Sequence, residues 1–202
     1  MRKIFAAMLL SATVTCAQAA PTVIGFEDFG NVGVSGPAVT NQYPGVIFSS
    51  TGGNSNVASS QAGIGSGLNF LCTGNPSINC TGETILTFSS GVNGLSFLQV
   101  GDNDPSGTPV AKVDVFVNNA FASTQDIFSD GNFSNPNLVD LTAFNNVTSI
   151  RIYNITDGGG LGWDNFTYTA AAVPEPETYA MLFAGLGLLG FASRRRKQTL
   201  AA

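Results

Sequence analysis

Lys112-Val113-Asp114-Val115-Phe116-Val117-Asn118-Asn119-Ala120 alternates with a period of two and then turns. Successive side chains of a strand point to opposite faces, so Val113, Val115 and Val117 line one side and Lys112, Asp114 and Phe116 the other. Val117-Asn118-Asn119-Ala120 reads as a tight hairpin. Ile150 and Ile152 against Arg151 and Tyr153 repeat the alternation. Short runs of the same kind fall at 22–26, 46–49, 68–71, 84–88, 95–100, 112–117, 123–128, 138–141, 149–153 and 163–169. Breakers such as Gly91-Val92-Asn93-Gly94 separate them, and no helical interval intervenes. About ten short strands in this pattern predict an all-β fold, an antiparallel β-sandwich or jelly roll. The stretch from Asn54 to Ser66 is poor in hydrophobic residues and rich in Gly, Ser and Asn, which predicts a flexible surface loop.

Between residues 20 and 172, eleven acidic residues face only Lys112 and Arg151, a net charge of −9. Such a surface opposes binding to nucleic acid or anionic lipid, which require basic side chains. The chain contains no histidine. That excludes Ser-His-Asp and Cys-His catalysis and histidine-held zinc, copper or haem. A paired-carboxylate glycosidase survives this filter, since two acids at the right separation suffice. Cys72 and Cys80 enclose seven residues, and in an exported protein they are expected to form a local disulfide.

The two ends of the chain are of a different character. Arg2-Lys3, the apolar run Ile4 to Leu10 and Ala17-Gln18-Ala19 form the basic, apolar and small-x-small parts of a signal peptide over residues 1–19. Export then runs through the Sec machinery and signal peptidase, and Cys16 leaves with the leader. At the other end Pro174-Glu175-Pro176 precedes an uncharged stretch from Thr178 to Ser193, followed by Arg194-Arg195-Arg196-Lys197. Sixteen residues make a helix of about 24 Å, at the short limit for a bilayer core of about 30 Å. Gly185, Gly187 and Gly190 weaken it further. The basic cluster orients this single transmembrane helix with its C-terminal end cytoplasmic.

The three parts in this order, Val173-Pro174-Glu175-Pro176-Glu177-Thr178, the Gly-Leu-rich run 184–192 and the basic stop Arg194–Lys197, resemble the PEP-CTERM sorting signal. The resemblance implies a Gram-negative bacterium and a membrane-embedded exosortase that recognises Pro174, Glu175 and Pro176. It also implies loss of the tail and delivery to the cell surface or exopolysaccharide matrix. An ordinary tail-anchored protein is the alternative. The chain thus divides into a signal peptide (1–19), a β-sandwich domain (20–172), the sorting signal (173–197) and a cytoplasmic stub (198–202).

Two acidic constellations are candidate calcium sites. Asp102-Asn103-Asp104-Pro105-Ser106-Gly107 copies the opening of an EF-hand loop, with Asp102 and Asp104 as ligands. The match ends there, because Val113 stands where the bidentate acid belongs, and an Asx-type turn is the competing reading. The second set joins the ends of the domain. Gly25-Phe26-Glu27-Asp28-Phe29 and the Gly158–Gly162 run leading into Trp163-Asp164-Asn165-Phe166 resemble the first and last strands of galactose-binding-like jelly rolls. That resemblance implies a calcium held by Glu27 or Asp28 together with Asp164; a turn-capping role for Asp164 is the other possibility. Asp164 shares strand parity with Phe166 and Tyr168, which predicts a core-facing carboxylate. Trp163, the only tryptophan, is a candidate for stacking on a sugar ring, against a plain packing role. No catalytic residue is assigned. The expected function is that of an exported, non-catalytic matrix protein with calcium-supported carbohydrate binding. The alternatives are a purely structural or adhesive component and a carboxylate-dependent polysaccharide hydrolase. The intact mass of the mature protein recovered from culture medium is expected to correspond to a C-terminus between Val173 and Glu177. A full-length tail on that product would contradict the processing step.

Overall fold

The computed structural model describes residues 19–33, 36–51, 54–59, 67–74, 79–171 and 182–189. The signal-peptide reading of 1–18, Pro174-Glu175-Pro176, Arg194–Lys197 and the 198–202 stub lie outside them. Ten strands follow in order: β1 Thr22–Ile24, β2 Val46–Ser49, β3 Asn54–Ser59, β4 Asn69–Gly74, β5 Thr84–Val100, β6 Pro109–Val117, β7 Ala120–Phe128, β8 Asn137–Asp140, β9 Val147–Tyr153 and β10 Gly162–Ala170. Every ladder between these strands is antiparallel.

The hairpin forms as the sequence predicts. Val117 pairs with Ala120, and Asn118 and Asn119 take φ of 52° and 63°. Positive φ at both central residues is what a two-residue turn of strand-compatible twist requires. Val113 and Val115 are fully buried on the inner face.

Two expectations need correction. The segment read as a loop from Asn54 begins instead with β3, paired residue for residue with β4 from Asn54↔Gly74 to Ser59↔Asn69. Main-chain pairing here overrides a composition poor in strand formers, as tertiary context often does. Second, the two runs 84–88 and 95–100 are one strand. Gly91-Val92-Asn93-Gly94 is a corner, not a hairpin loop, and keeps its pairing: Val92 lies opposite both Val147 and Ala170. The first half of β5 bonds β2 and β9, and the second half bonds β8 and β10. Strands that switch sheets at a bend are a general way to close a sandwich.

Folding β5 over itself makes the two layers. One carries β2, the first half of β5, β9, β6 and β7. The other carries β3, β4, β1, β10, the second half of β5 and β8. Aromatic side chains bridge them: Phe48 meets Phe166 edge-on at 5.8 Å and Phe88 meets Tyr168 at 5.1 Å. Phe26 closes the cluster against Phe48 and Phe166.

The disulfide expected between Cys72 and Cys80 is present, with Cα atoms 4.9 Å apart. It clamps the connection after β4 onto the glycine run before β10. Leu161 N donates to Cys80 O at 2.9 Å, and Gly160 adopts φ 77° with the Cys80 backbone where a Cβ would sit, 2.5–2.8 Å away. Gly160→Ala therefore meets both a disfavoured left-handed conformation and a backbone clash. It is expected to lower the urea midpoint by the equivalent of about 2 kcal/mol or more. Cys72→Ser with Cys80→Ser is expected to cost about 2–3 kcal/mol by loop-closure entropy.

Candidate functional site

The loops that follow β5, β7 and β9 meet at one end of the sandwich. Asp102, only 2% exposed, turns its carboxylate inward. Gln99 Nε2 donates to its Oδ2 at 3.0 Å and Ser129 Oγ to its Oδ1 at 2.5 Å. Asp157, equally buried, accepts from Asn103 N at 3.0 Å and Gly159 N at 2.9 Å. A buried carboxylate requires such donors, and here backbone amides and side chains of neighbouring loops supply them. Asp104 follows in the same loop with its carbonyl 2.6 Å from Ser129 Oγ. The EF-hand-like stretch therefore acts as a knot between loops.

The second constellation is brought together and then divided. Asn69 N donates to Glu27 Oε1 at 2.9 Å, while Asn69 Nδ2 donates to the carbonyls of Phe26 and Gly30. Tyr43 OH donates to Asp28 Oδ1 at 2.6 Å. Burial, with the adjoining Asp28 carboxylate, pushes the Tyr43 phenol well above its ordinary range. The parity reading of Asp164 fails because Asn165, at φ 47°, forms a bulge. Trp163 stands opposite Gln99 on the core face, Asp164 opposite Leu98 on the other, and the extra residue restores Phe166 to the core. Asp164 is fully buried nonetheless, close to Gly25: a Cβ there would lie 3.7 Å from Asp164 Oδ1 and 2.7 Å from Asn165 Oδ1. Asn165 N donates to Asp164 Oδ1 at 2.7 Å. Among the described residues no group of three or more Asp, Glu, Cys or His side chains is placed to hold a metal ion. Glu27, Asp28 and Asp102 direct carboxylate oxygens to protein donors.

Trp163 is also not at a loop mouth. It is fully buried, edge-on to Phe97 at 5.8 Å, and presents no ring to a ligand. The sequence pointed to an aromatic beside glycines, but those glycines admit close backbone packing: Phe70 and Val100 lie where a Cβ on Gly162 would be.

A recess that the sequence reading missed lies between β7 and β8, one edge strand from each layer. It has a volume of about 180 Å³ and is lined by Gln125, Asp126, Phe128, Asn137, Leu138 and Asp140 among others. Phe128 is 49% exposed and Leu138 59%. Asn137 Nδ2 donates to Phe128 O at 2.8 Å, which ties the two walls together. Phe128, Leu138 and Asp140 stand exposed along it, while Gln125 and Asn137 are half-buried. No local motif could reveal it, because the walls belong to different sheets.

Residues 172–197 match the PEP-CTERM protein-sorting motif. The motif begins two residues after the last strand ends at Ala170, and within it residues 182–189 are helical. No helix among the described residues is long and apolar enough to cross a membrane. No curated protein matches the chain. In three dimensions it is similar to a family 35 carbohydrate binding module from an environmental isolate, at 19% identity and a TM-score of 0.39, covering 68% of this chain and 99% of that one. A family 35 module from Clostridium thermocellum gives 20% and 0.39, covering 76% and 100%. A cyclase from Fischerella sp. TAU gives 15% and 0.39, covering 77% and 100%.

The acid response of the domain upstream of the PEP-CTERM motif is set in part by one ion pair. Arg151 Nη2 donates to Glu83 Oε2 at 2.6 Å, with Asp114 3.9 Å from the guanidinium and the Tyr153 ring stacked at 4.5 Å. The hydrogen bond from Arg151 holds the Glu83 carboxyl below its ordinary 4.5. Its stabilisation is therefore present above that value and lost as pH falls through the lowered folded one. Because Arg151 is well exposed, the pair is worth only about 0.5–1 kcal/mol. Urea unfolding is expected to show stability declining below about pH 4.5, with Glu83→Gln less stable at neutral pH and shallower in that decline. Parallel pH profiles for the two proteins would remove Glu83 from this role.

Proposed function

We propose that the chain is an exported protein held briefly in the inner membrane of a Gram-negative cell by its apolar tail. Exosortase then cuts it at Pro174-Glu175-Pro176, and the released sandwich joins the surface or matrix polysaccharide as a non-catalytic binding protein. The observation that carries this reading is the sorting motif at 172–197, fused directly to a single β-sandwich. A basic stop at Arg194–Lys197 after an uncharged stretch gives the tail an orientation. The signal-peptide pattern at 1–19 supplies the entry into the same export route. The domain's net charge of −9 turns it away from nucleic acid.

Within this reading the sugar contacts fall in the β7–β8 recess, where Phe128 supplies the platform and Gln125, Asn137 and Asp140 the hydroxyl partners. In this reading the sugar contacts need no calcium, because none of the candidate ligands Glu27, Asp28, Asp102, Asp104 and Asp164 lines the recess. The test is binding of the mature protein to exopolysaccharide from the producing cells, with and without chelator. Binding is expected to persist in chelator and to weaken about tenfold in Phe128→Ala, which loses a stacking contact of roughly 1–1.5 kcal/mol. Absence of binding under both conditions would sink the glycan assignment. Unchanged affinity in Phe128→Ala would move the site elsewhere.

A further inference from the structure

Five triplets of the chain have the form Asn-x-Ser/Thr with x other than proline, the acceptor pattern for attachment of a glycan to asparagine. Four are built into the sandwich. In Asn146-Val147-Thr148 the asparagine amide donates to Asn118 Oδ1, Val147 is fully buried and the threonine hydroxyl donates to Phe116 O. In Asn154-Ile155-Thr156 the threonine is held twice, by its N–H on Val110 O at 2.9 Å and by its hydroxyl on Pro109 O at 3.3 Å. In Asn165-Phe166-Thr167 the middle residue is fully buried and the threonine hydroxyl donates to Asn165 O. In Asn79-Cys80-Thr81 the middle residue carries the disulfide to Cys72, and its carbonyl accepts from Leu161 N.

Asn132-Phe133-Ser134, in the connection between β7 and β8, is held differently. Gly131 to Asn135 are all exposed, and none of them belongs to the core. The bonds that shape the triplet come from its own loop. Asn132 N donates to Asp130 Oδ1 at 2.9 Å, Ser134 N to Asn132 Oδ1 at 3.1 Å and Asn135 N to Asn132 O at 3.0 Å. Among the described residues neither Asn132 Nδ2 nor the Ser134 hydroxyl makes a hydrogen bond. Two residues before the asparagine stands a carboxylate, Asp130; the other four triplets have Ser77, Phe144, Ile152 and Trp163 there. Each Asp130 oxygen accepts one bond within the loop, from Asn132 N and from Asn135 Nδ2, and keeps lone-pair capacity for a cationic side chain of an enzyme.

We propose that Asn132 is a glycan acceptor, modified by an oligosaccharyltransferase after the export that the proposed function describes. The donor class is an oligosaccharide carried on a lipid pyrophosphate. The step forms a bond between Asn132 Nδ2 and the anomeric carbon of the first sugar and breaks that carbon's bond to the pyrophosphate oxygen. Nδ2 gives up one proton, and the lipid pyrophosphate leaves with the electron pair of the broken bond. Of the five triplets, this one alone combines a free amide, a free hydroxyl two residues on and a carboxylate beside the acceptor. Because the loop is exposed and internally bonded, a transferase can bend it with the sandwich still folded.

The test incubates the folded full chain, disulfide intact, with a bacterial oligosaccharyltransferase and a lipid-pyrophosphate-linked oligosaccharide of known mass. A free peptide spanning residues 128–137 is run beside it, and products are read by peptide mass spectrometry. The glycan mass is expected on the Asn132 peptide and on none of the other four triplets. Asn132→Gln and Ser134→Ala are expected to abolish it, and Asp130→Asn to slow it about tenfold, the loss of one charge-assisted contact. Absence of the glycan from Asn132 of the folded chain, whether or not the free peptide is modified, would overturn the acceptor site. So would equal occupancy at Asn146, Asn154, Asn165 or Asn79. Export plays no part in this assay, so its failure leaves the proposed function standing, whereas retention of the chain inside the producing cells would remove that function without touching the acceptor result.

Discussion

The sandwich depends on one strand being hydrogen-bonded into both of its layers. β5 gives its first half to β2 and β9 and its second half to β8 and β10, so the bend at Gly91–Gly94 decides how the sheets face one another. Gly91 is necessary at that corner because the Asn146 side chain occupies the space of a Cβ, and Gly94 takes φ 64°. Once the strand folds over, Leu86, Phe88, Leu95 and Phe97 all point inward and are almost wholly buried. The Phe26, Phe48, Phe97 and Phe166 rings then fill the gap with edge-on and stacked contacts 5.2–6.2 Å apart. Such packing adds directional preference to area burial, which favours one alignment of the layers over nearby ones.

What the sequence made legible is what short-range chemistry controls. The alternation in 112–117 and 149–153, the Asn118-Asn119 turn and the nearby Cys72–Cys80 pair all depend on neighbours within a few residues. The sorting tail was legible for the same reason. β3 was hidden because its composition is poor in strand formers, and only its pairing with β4 makes it a strand. The continuity of β5 was hidden because a sheet corner and a hairpin use the same glycines. Asp164 was misread by one residue of bulge, and one residue reverses the face of everything on one side of it. The β7–β8 recess had no signal, since Phe128 and Leu138 become neighbours only through the stacking of the two layers.

Asparagine does in this fold what glycine does in many others. Asn118, Asn119, Asn146, Asn154 and Asn165 all have positive φ, and Phe26 is the sole other non-glycine residue among those described to do so. Three of them open Asn-x-Thr triplets in which the threonine hydroxyl donates to a carbonyl: Thr148 to Phe116, Thr156 to Pro109 and Thr167 to Asn165. These triplets are thus turn and bulge devices, because a short amide side chain tolerates the left-handed region. An uncharged residue is used for this at the chain-entry end as well, where Asn93, Asn118 and Asn146 form one hydrogen-bonded group.

That choice links the turn chemistry to the distribution of charge. Aspartate tolerates positive φ nearly as well as asparagine, and the loops at the far end are rich in it. Apart from Phe26, every such position among the described residues, at either end, is nevertheless asparagine or glycine. The β7–β8 recess fits the same arrangement. Gln125 to Phe128 lie in the half of β7 toward the acidic loops, and Asn137 to Asp140, the whole of β8, run alongside the second half of β5.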